Sequence, residues 1–332
     1  MRASSSPGSW AGLGVAVAAF AVLAVLAGCG GSTRPAGTAP ASSASASGVS
    51  SPATGARPPA AAPKPLPPPY PVLLRTATGS VGARLTPVVR WRGQTAVWIA
   101  RLDSGVTMLS FDQGLVRLAL HSGTIDPGGS GWRHGPAVVG AERARLVAAF
   151  NGGFRLSIGA GGFMSGGRVA VALRDGLGSI VTYADGRTDI GAWNAGVPRR
   201  GRALESVRQN LTLLIDHGQA ASTLDCLSCW GATLGGVADV ARSALGITPD
   251  GQLVWAGGEG LSVAALADAL LHAHVRSAVE LDINPAWVAG YMYRHHGPRK
   301  PLAPVPVLRD QVGASGFFLQ PYSRDFFTIL TR

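Results

Sequence analysis

The segment SVAALADALLHAHVRSAVELDINPAW, residues 262–287, contains the clearest local pattern in the chain. Ser262 is a good helix N-cap, and apolar residues recur after it at helical spacing. In the stretch that follows, apolar residues alternate with Glu280, Asp282 and Asn284, which places two carboxylates and an amide on one strand face. The segment therefore predicts a helix that leads directly into a strand with an acidic face.

Most of the sequence around this segment predicts short strands joined by turns. The clearest hairpin is RSALGITPDGQLVWAGG, residues 242–258, in which two apolar stretches flank a Pro-Asp-Gly turn. A second hairpin is predicted in SIVTYADGRTDIG, at its Asp-Gly pair. Further strands are predicted in TAVWIARL, GVTMLSF, VRLALHSG, LVAAFNGGF, RVAVAL, LTLLIDHG and RDFFTIL. Many strands with few helices predict an α+β domain with mixed or antiparallel sheets.

The first seventy residues are predicted to lie outside this domain. Residues 11–27 form an uncharged apolar run that closes on Leu-Ala-Gly-Cys, which indicates a signal peptide over residues 1–28. The cysteine, Cys29, stands where a bacterial lipobox has its lipidated cysteine; the alternative is a signal-anchor helix in which this cysteine is incidental. Residues 29–70 are mostly Ala, Ser, Gly, Thr and Pro, which predicts a disordered tether. The tether would hold a single domain, residues 71–332, outside the cytoplasm at a membrane.

The charge balance favours anionic partners. The chain has 29 basic and 18 acidic residues, a formal net charge of +11, and nearly all of its basic residues are arginine. With the heavy use of Ala, Gly and Pro, this suggests a bacterium with a GC-rich genome. An exported basic surface attracts phospholipid headgroups, phosphate-bearing wall polymers or phosphosugars. A nucleic-acid partner is not expected, because the chain carries an export signal and no binding motif.

Cys226 and Cys229 are the two cysteines of the predicted domain. In an exported protein such a pair most simply forms a disulfide. A thioredoxin-type redox pair would need the start of a helix after a strand, whereas this pair lies in a polar, loop-like stretch. A zinc site would need histidines nearby. A structural disulfide is therefore predicted. No metal ligand and no cofactor are assigned from the sequence, and a divalent cation stays an open alternative.

The acids of the opening segment are the main candidates for chemistry. Glu280 and Asp282 would lie about 6.6–6.8 Å apart on one strand face, a separation at which two carboxylates can divide labour at a sugar carbon. Alternatively, they pair with arginines such as Arg242, or their oxygens hold a divalent cation. Asp216 and His217 follow another predicted strand, a placement that suits either a site or a surface turn.

Three segments occur in the order found in one known family. LVAAFNGGF, ARSALGITPDGQLVW and GEGLSVAALADALLHAHVRSAVELD together resemble the phosphodiester glycosidase family, over roughly residues 90–330. One departure concerns the end of the acidic strand. The family continues Leu-Asp with Gly-Gly-Gly-Ser, whereas this chain continues with Ile283-Asn284-Pro285-Ala286. A proline without an N–H thus stands where flexible glycines would let backbone N–H groups approach an anion.

The resemblance implies hydrolysis of a sugar-1-phosphodiester at its glycosidic bond. Asp282 would then serve as nucleophile, base or electrostatic stabiliser, Glu280 as a supporting acid or base, and Arg242 as a phosphate clamp. The substrate pocket would be shaped by the remaining candidates, Asn151, Gly152, Gly153 and Asn284, with Asp216 and His217. One alternative is a lipid-anchored protein that binds glycans or phosphosugars without catalysis, which the missing glycines favour. Another is a structural envelope protein in which both acids are paired with arginines.

Overall fold

The computed structural model describes residues 68–77, 82–231, 233, 236–313 and 316–332. All of them belong to one unit of the chain, Pro63–Arg332. The predicted signal peptide, the predicted lipidation site Cys29 and most of the predicted tether lie outside the described residues. Within the described ranges, no helix has both the length and the apolar character needed to span a membrane.

Nineteen strands and two α-helices make up the regular structure of the described residues. The helices are α1 Ala141–Arg145 and α2 Val263–His272. The strands, in chain order, are β1 Val72–Leu73, β2 Thr86–Trp91, β3 Gln94–Arg101, β4 Thr107–Phe111, β5 Val116–His121, β6 Leu146–Asn151, β7 Phe163–Ser165, β8 Arg168–Val171, β9 Gly178–Tyr183, β10 Thr188–Ala192, β11 Leu204–Gln209, β12 Ile215–Asp216, β13 Gln219–Ala220, β14 Val240–Ile247, β15 Leu253–Leu261, β16 Ser277–Glu280, β17 Gly290–Arg294, β18 Ala303–Pro306 and β19 Phe326–Thr331. Three short 3-10 helices complete the set: Arg75–Ala77, Leu156–Ile158 and Leu227–Trp230.

The strands form three sheets. A nine-stranded sheet has the order β1-β2-β3-β4-β15-β14-β16-β12-β13, and two five-stranded sheets have the orders β10-β9-β11-β7-β8 and β18-β17-β6-β19-β5. Every pairing between these strands is antiparallel. The predicted strand-rich α+β class is therefore confirmed, with antiparallel pairing throughout.

The main core lies between the nine-stranded sheet and the sheet that contains β6, and the third sheet adds Phe163, Ile180 and Ile190 to it. Phe150 of β6 contacts the rings of Phe111, Trp255 and Phe327, with centroids 5.8–6.2 Å apart. Helix α2 covers the opposite face of the nine-stranded sheet through a second apolar cluster that includes Leu266. The central strands of that sheet are consequently buried on both faces, which places even their polar residues away from water.

Several local predictions are confirmed. Ser262 caps α2 by accepting a hydrogen bond from the Ala265 N–H at 3.1 Å. The predicted hairpin around the Pro-Asp-Gly turn is the β14–β15 pair, and the Asp-Gly turn joins β9 to β10. The predicted strand LTLLIDHG is much shorter than expected, because only Ile215–Asp216 pair with neighbouring strands. Helix α1 carries no buried residue and so has no apolar face from which the sequence could predict it.

Candidate functional site

Strand β16 places Glu280 on the face that is covered by α2. Val279 and the following Leu281 point into the core between the sheets. Glu280 instead lies opposite Ala244 of β14, which belongs to the cluster beneath α2. The alternation of apolar and acidic residues thus gives two faces, as the sequence predicts. Both faces are covered, however, so Glu280 is fully buried.

Arg242 on the adjacent strand β14 contacts the carboxylate of Glu280. Arg242 Nη1 and Glu280 Oε1 are 2.7 Å apart, and the two side chains are 1% and 0% exposed. The same guanidinium donates to the backbone carbonyls of Leu261, Trp230 and Ala238. Burial raises the pKa of Glu280 to about 8, against the opposing charge of Arg242. Arg242 is therefore engaged inside the fold, and this burial corrects the expectation that it clamps a bound phosphate.

Asp282 contacts a different arginine. Arg324 Nη2 lies 3.0 Å from Asp282 Oδ2, and Arg324 Nε lies 3.2 Å from Oδ2 of Asp126. The backbone N–H of Asn284 donates to Asp282 Oδ1 at 3.0 Å. Burial raises the pKa of Asp282, and the charge of Arg324 opposes that rise. One guanidinium thus joins two carboxylates from distant parts of the sequence.

The Gly152-Gly153 turn after β6 lies directly beside these groups. The Gly152 carbonyl accepts from the Asp282 N–H at 3.0 Å, and the Gly153 carbonyl accepts from Arg324 Nη2 at 2.9 Å. A Cβ atom on Gly152 would stand 2.1 Å from Oδ2 of Asp325. The first glycine is required because backbone and carboxylate approach so closely. The turn therefore positions both members of the Asp282–Arg324 pair.

A third ion pair, Arg208–Asp325, supports the turn from behind. Arg208 Nε and Nη2 donate to the two carboxylate oxygens of Asp325 at 2.9 and 3.2 Å, and both side chains are buried. A Cβ atom on Gly153 would stand 2.9 Å from the guanidinium carbon of Arg208. The Asn-Gly-Gly sequence thus allows a bidentate ion pair to pack against the backbone.

The two amides predicted at the site hold the backbone in place. Asn151 is buried and donates to Oγ of Ser243 at 2.9 Å, and this hydroxyl donates to the Asp282 carbonyl at 3.1 Å. Asn284 is exposed, and its side-chain oxygen accepts from the Ala286 N–H at 2.9 Å. Asn151 therefore lies close to Asp282, and Asn284 shapes the turn that follows it.

A cavity of about 360 Å³ borders Arg324. Its lining includes Asp126, Arg155, Ser157, Trp287 and Arg324. The guanidinium of Arg324 lies 5.4 Å from the centre of the Trp287 ring. Its Nε–H is buried and makes no hydrogen bond of good geometry within the described ranges, although Asp126 is close. The cavity thus combines two positive charges, a carboxylate, an aromatic face and an unsatisfied buried donor.

The structure does not bring Asp216 and His217 to this cavity. Both side chains are exposed, by 55% and 88%, and they contact each other at 2.9 Å. Gly218, directly after them, donates to the carbonyl of Arg276, just before β16 begins. Asp282 lies beyond the other end of that strand. Strand direction therefore places Asp216 and His217 at the opposite end of β16 from Asp282.

Cys226 and Cys229 stand in disulfide geometry, with Cα atoms 5.3 Å apart. They enclose most of a 3-10 helix that ends at Trp230, whose ring is fully buried. The Trp230 carbonyl accepts from Arg242. The cysteine pair is thus next to the Arg242–Glu280 pair rather than the cavity.

Sequence reasoning missed the residues that line the cavity. Arg324 and Asp325 immediately precede the apolar strand β19, and this position could have indicated them. Phe326 pairs with Asn151 because β19 runs antiparallel to β6, so the start of one strand meets the end of the other. Asp126 lies in a turn-rich segment, where its neighbours in sequence carry no comparable signal.

Comparisons with known proteins give distant structural likeness. No protein-family model matches the chain, and no curated protein matches it. Similar solved structures include the catalytic domain of zebrafish N-acetylglucosamine-1-phosphodiester alpha-N-acetylglucosaminidase, auto-inhibited by its pro-peptide. It is 15% identical, with a TM-score of 0.43, over 75% of this chain and 82% of that chain.

Two further structures are more distant. A hypothetical protein from Synechocystis is 13% identical, with a TM-score of 0.34, over 76% of this chain and 69% of that chain. A protein from Burkholderia pseudomallei, described as exported, is 14% identical, with a TM-score of 0.28, over 71% and 75%. These values are too low to carry an argument about the site, whose chemistry rests on its own residues.

Proposed function

We propose that this chain is a hydrolase of sugar-1-phosphodiesters and acts at the cavity beside Arg324. The observation that carries the proposal is the buried guanidinium of Arg324, which contacts the carboxylates of Asp126 and Asp282 and borders the cavity. Arg324 and Arg155 suit a phosphate, because guanidinium groups match phosphate oxygens. Trp287 offers an apolar face to a sugar ring. The cavity lies within the usual range of about 300–1,000 Å³ for small-molecule sites.

In the proposed reaction, water attacks the anomeric carbon of the sugar. The bond from that carbon to the phosphate oxygen breaks, and the phosphate monoester leaves with the bonding electrons. Asp126, which lines the cavity, accepts the proton of the attacking water. Arg324 and Arg155 stabilise the negative charge that develops on the departing phosphate. A phosphate is a good leaving group, so it needs less protonation than an alkoxide does.

The two acids of the opening segment take indirect roles in this proposal. Asp282 is a positioning residue, because its side chain is only 9% exposed and contacts Arg324. Glu280 is sealed beneath α2 with Arg242 and makes no contact with substrate. In this proposal Asp126 is the base, a role that the sequence predicted for Glu280. Arg324 contacts the phosphate, a role that the sequence predicted for Arg242.

The test is release of free sugar from methyl diesters of glucose 1-phosphate and N-acetylglucosamine 1-phosphate by the purified full chain. Asp126→Asn should lower kcat by at least about 100-fold, because it removes the general base. Asp282→Asn should lower kcat/KM mainly through KM, since Arg324 loses the carboxylate that orients it. The matched control is Asp185→Asn, which disrupts the exposed Asp185–Arg202 pair and should leave turnover unchanged. Absent turnover in the parent, or full turnover in Asp126→Asn, would contradict the proposal.

A second candidate function is binding of a phosphosugar without catalysis. It is favoured by the contacts that Arg324 already makes with Asp126, Asp282 and the Gly153 carbonyl, and by Pro285, which has no N–H to offer an anion. Calorimetry with glucose 1-phosphate distinguishes the two. Binding that Arg155→Ala weakens, with no sugar released from either diester, would favour the binding protein.

The proposed cellular setting is the outer face of a bacterial membrane, reached through export and lipidation at Cys29. A basic, anchored domain would then meet anionic glycans or phosphosugars there. Labelling of the protein with a radioactive fatty acid tests this step. The label should be lost in Cys29→Ala, and unlabelled parent protein would contradict it.

A further inference from the structure

A cluster of two histidines and one glutamate lies outside the cavity. His121 ends β5, His134 lies in the loop 122–140 that follows, and Glu142 lies in the first turn of α1. One potential ligand atom from each residue lies within 4.8 Å of the others. Both histidines are buried, whereas the Glu142 side chain is 24% exposed. We propose that His121, His134 and Glu142 bind a divalent transition metal ion, with Zn²⁺ as the preferred ion.

The surroundings of His121 fix which of its ring nitrogens carries the lone pair. Nδ1 lies 2.8 Å from the Gly135 carbonyl, which can only accept, so the proton is on Nδ1. Nε2 then presents its lone pair 3.8 Å from Glu142 Oε2, with the Thr328 hydroxyl at 3.1 Å. A ligand histidine whose other nitrogen donates to a backbone carbonyl is a common feature of metal sites.

His134 and Glu142 share a proton in a short hydrogen bond. His134 Nδ1 lies 2.5 Å from Glu142 Oε1, and His134 Nε2 is buried without a hydrogen-bond partner in the described parts of the chain. The His134 backbone is fixed, because its carbonyl accepts from the Ser122 N–H at 3.0 Å. A metal ion would take the place of the shared proton, which moves to Nε2 if the ring is neutral and is released to water if the ring is charged.

The donor set suits zinc in both chemistry and size. Two neutral imidazoles and one carboxylate are ligands used by zinc sites that keep a fourth position for water. Zinc bonds of about 2.0–2.1 Å in tetrahedral geometry separate neighbouring ligand atoms by about 3.3 Å. The two carboxylate oxygens of Glu142 now lie 2.5 Å from His134 and 3.8 Å from His121, and one ligand atom of each residue lies within 4.8 Å of the others. Glu142 is partly exposed on a five-residue helix, so its carboxylate has room to turn toward an ion.

The cluster is linked to the cavity by the chain between its two histidines. Asp126 lies in that stretch, between β5 and His134, and contacts Arg324. On the sheet, His121 lies opposite Phe326 of β19, with their rings stacked at 4.4 Å. A bound ion would thus fix both ends of the segment that contains Asp126, by linking them to each other and to α1. It would stabilise the wall of the cavity and would not take part in hydrolysis.

Metal titration of the full chain tests the proposal without any activity measurement. After treatment with a chelator and its removal, calorimetry with ZnCl₂ should give about one ion per chain, and zinc should raise Tm. Co²⁺ in place of zinc should give visible absorption bands from nitrogen and oxygen ligands. Glu142→Gln should weaken zinc binding by at least about tenfold, since it removes a ligand on which the site depends.

The choice of variants separates binding at the cluster from other causes. Glu142 is the partly exposed member, so Glu142→Gln is the least disruptive change, and His134→Gln is a second test at a buried position. The matched controls are Glu205→Gln, which removes an acid paired with Arg133, and His217→Gln at an exposed histidine. Both controls should bind zinc as the parent does. Absent zinc binding in the parent, or equal zinc affinity in Glu142→Gln, would overturn the proposal. Neither result decides whether the chain releases sugar, which the sugar-release assay tests separately.

Discussion

Two buried arginine–carboxylate pairs lie close together in this domain, but one is enclosed by the fold and the other lies beside a cavity. Arg242 and Glu280 are enclosed on the face covered by α2, where the guanidinium also binds three backbone carbonyls. Arg324 and Asp282 lie beside a cavity, where the guanidinium is shared with Asp126. The two acids are only two residues apart in the sequence. Residue type therefore does not decide which arginine–carboxylate pair lies next to a cavity.

The difference follows from where β16 ends. Glu280 is the last residue of the strand and pairs with Ala244, so the neighbouring strand and α2 cover it. Asp282 lies beyond the last pair, where the chain turns at Asn284 and Trp287 approaches Arg324. An acid within a doubly covered sheet can only meet internal partners. An acid beyond its end can hold a group that borders a cavity.

The largest expected effect compares the two arginines by removing each side chain. Arg242→Ala should lower the free energy of unfolding by about 3–5 kcal/mol, because Glu280 and three backbone carbonyls lose the donor that satisfies them. Arg324→Ala should cost less, since water can enter the cavity and solvate Asp126 and Asp282. Urea denaturation of both variants measures the difference. Equal losses would show that the two pairs are not distinct in their surroundings.

The second effect concerns pH and the enclosed pair alone. Burial raises the pKa of Glu280 to about 8 in the folded state, whereas the ordinary pKa of a glutamate is near 4.5. The folded state therefore binds more protons within this window, and its stability from this group falls as pH rises. The loss is up to about 1.4 kcal/mol per pH unit.

Glu280→Gln does not titrate and removes this dependence. The free energy of unfolding of the variant minus that of the parent should increase steadily between pH 5 and pH 8 in urea denaturation. Asp185→Asn at the surface is the control, for which the difference should stay nearly flat over this range. A flat difference for Glu280→Gln as well would show that Arg242 keeps the carboxylate ionised.

The sequence predicts the helix and strands around the site better than it predicts the cavity itself. Helix α2, the β14–β15 hairpin and the alternating faces of 277–281 follow from local periodicity, which the sequence contains directly. The approach of the Asn-Gly-Gly turn to Asp282 was expected only from resemblance. Arg324 and Asp126 contact each other across 198 positions of chain, and no local pattern encodes that contact. The second covered face of β16 also depends on where α2 packs.

The smallest expected effect concerns the exposed pair Asp216–His217, which extends the comparison to a pair without burial. These side chains contact each other at 2.9 Å but are largely exposed. Exposed ion pairs contribute little, since solvent already stabilises both charges. The double variant Asp216→Asn with His217→Gln should change the free energy of unfolding by less than about 0.5 kcal/mol. Sugar release should also be unchanged, because β16 separates this pair from Asp282. A loss of turnover with an intact fold would show that the surface at the start of β16 takes part in function. That surface lies at the opposite end of the strand from the cavity.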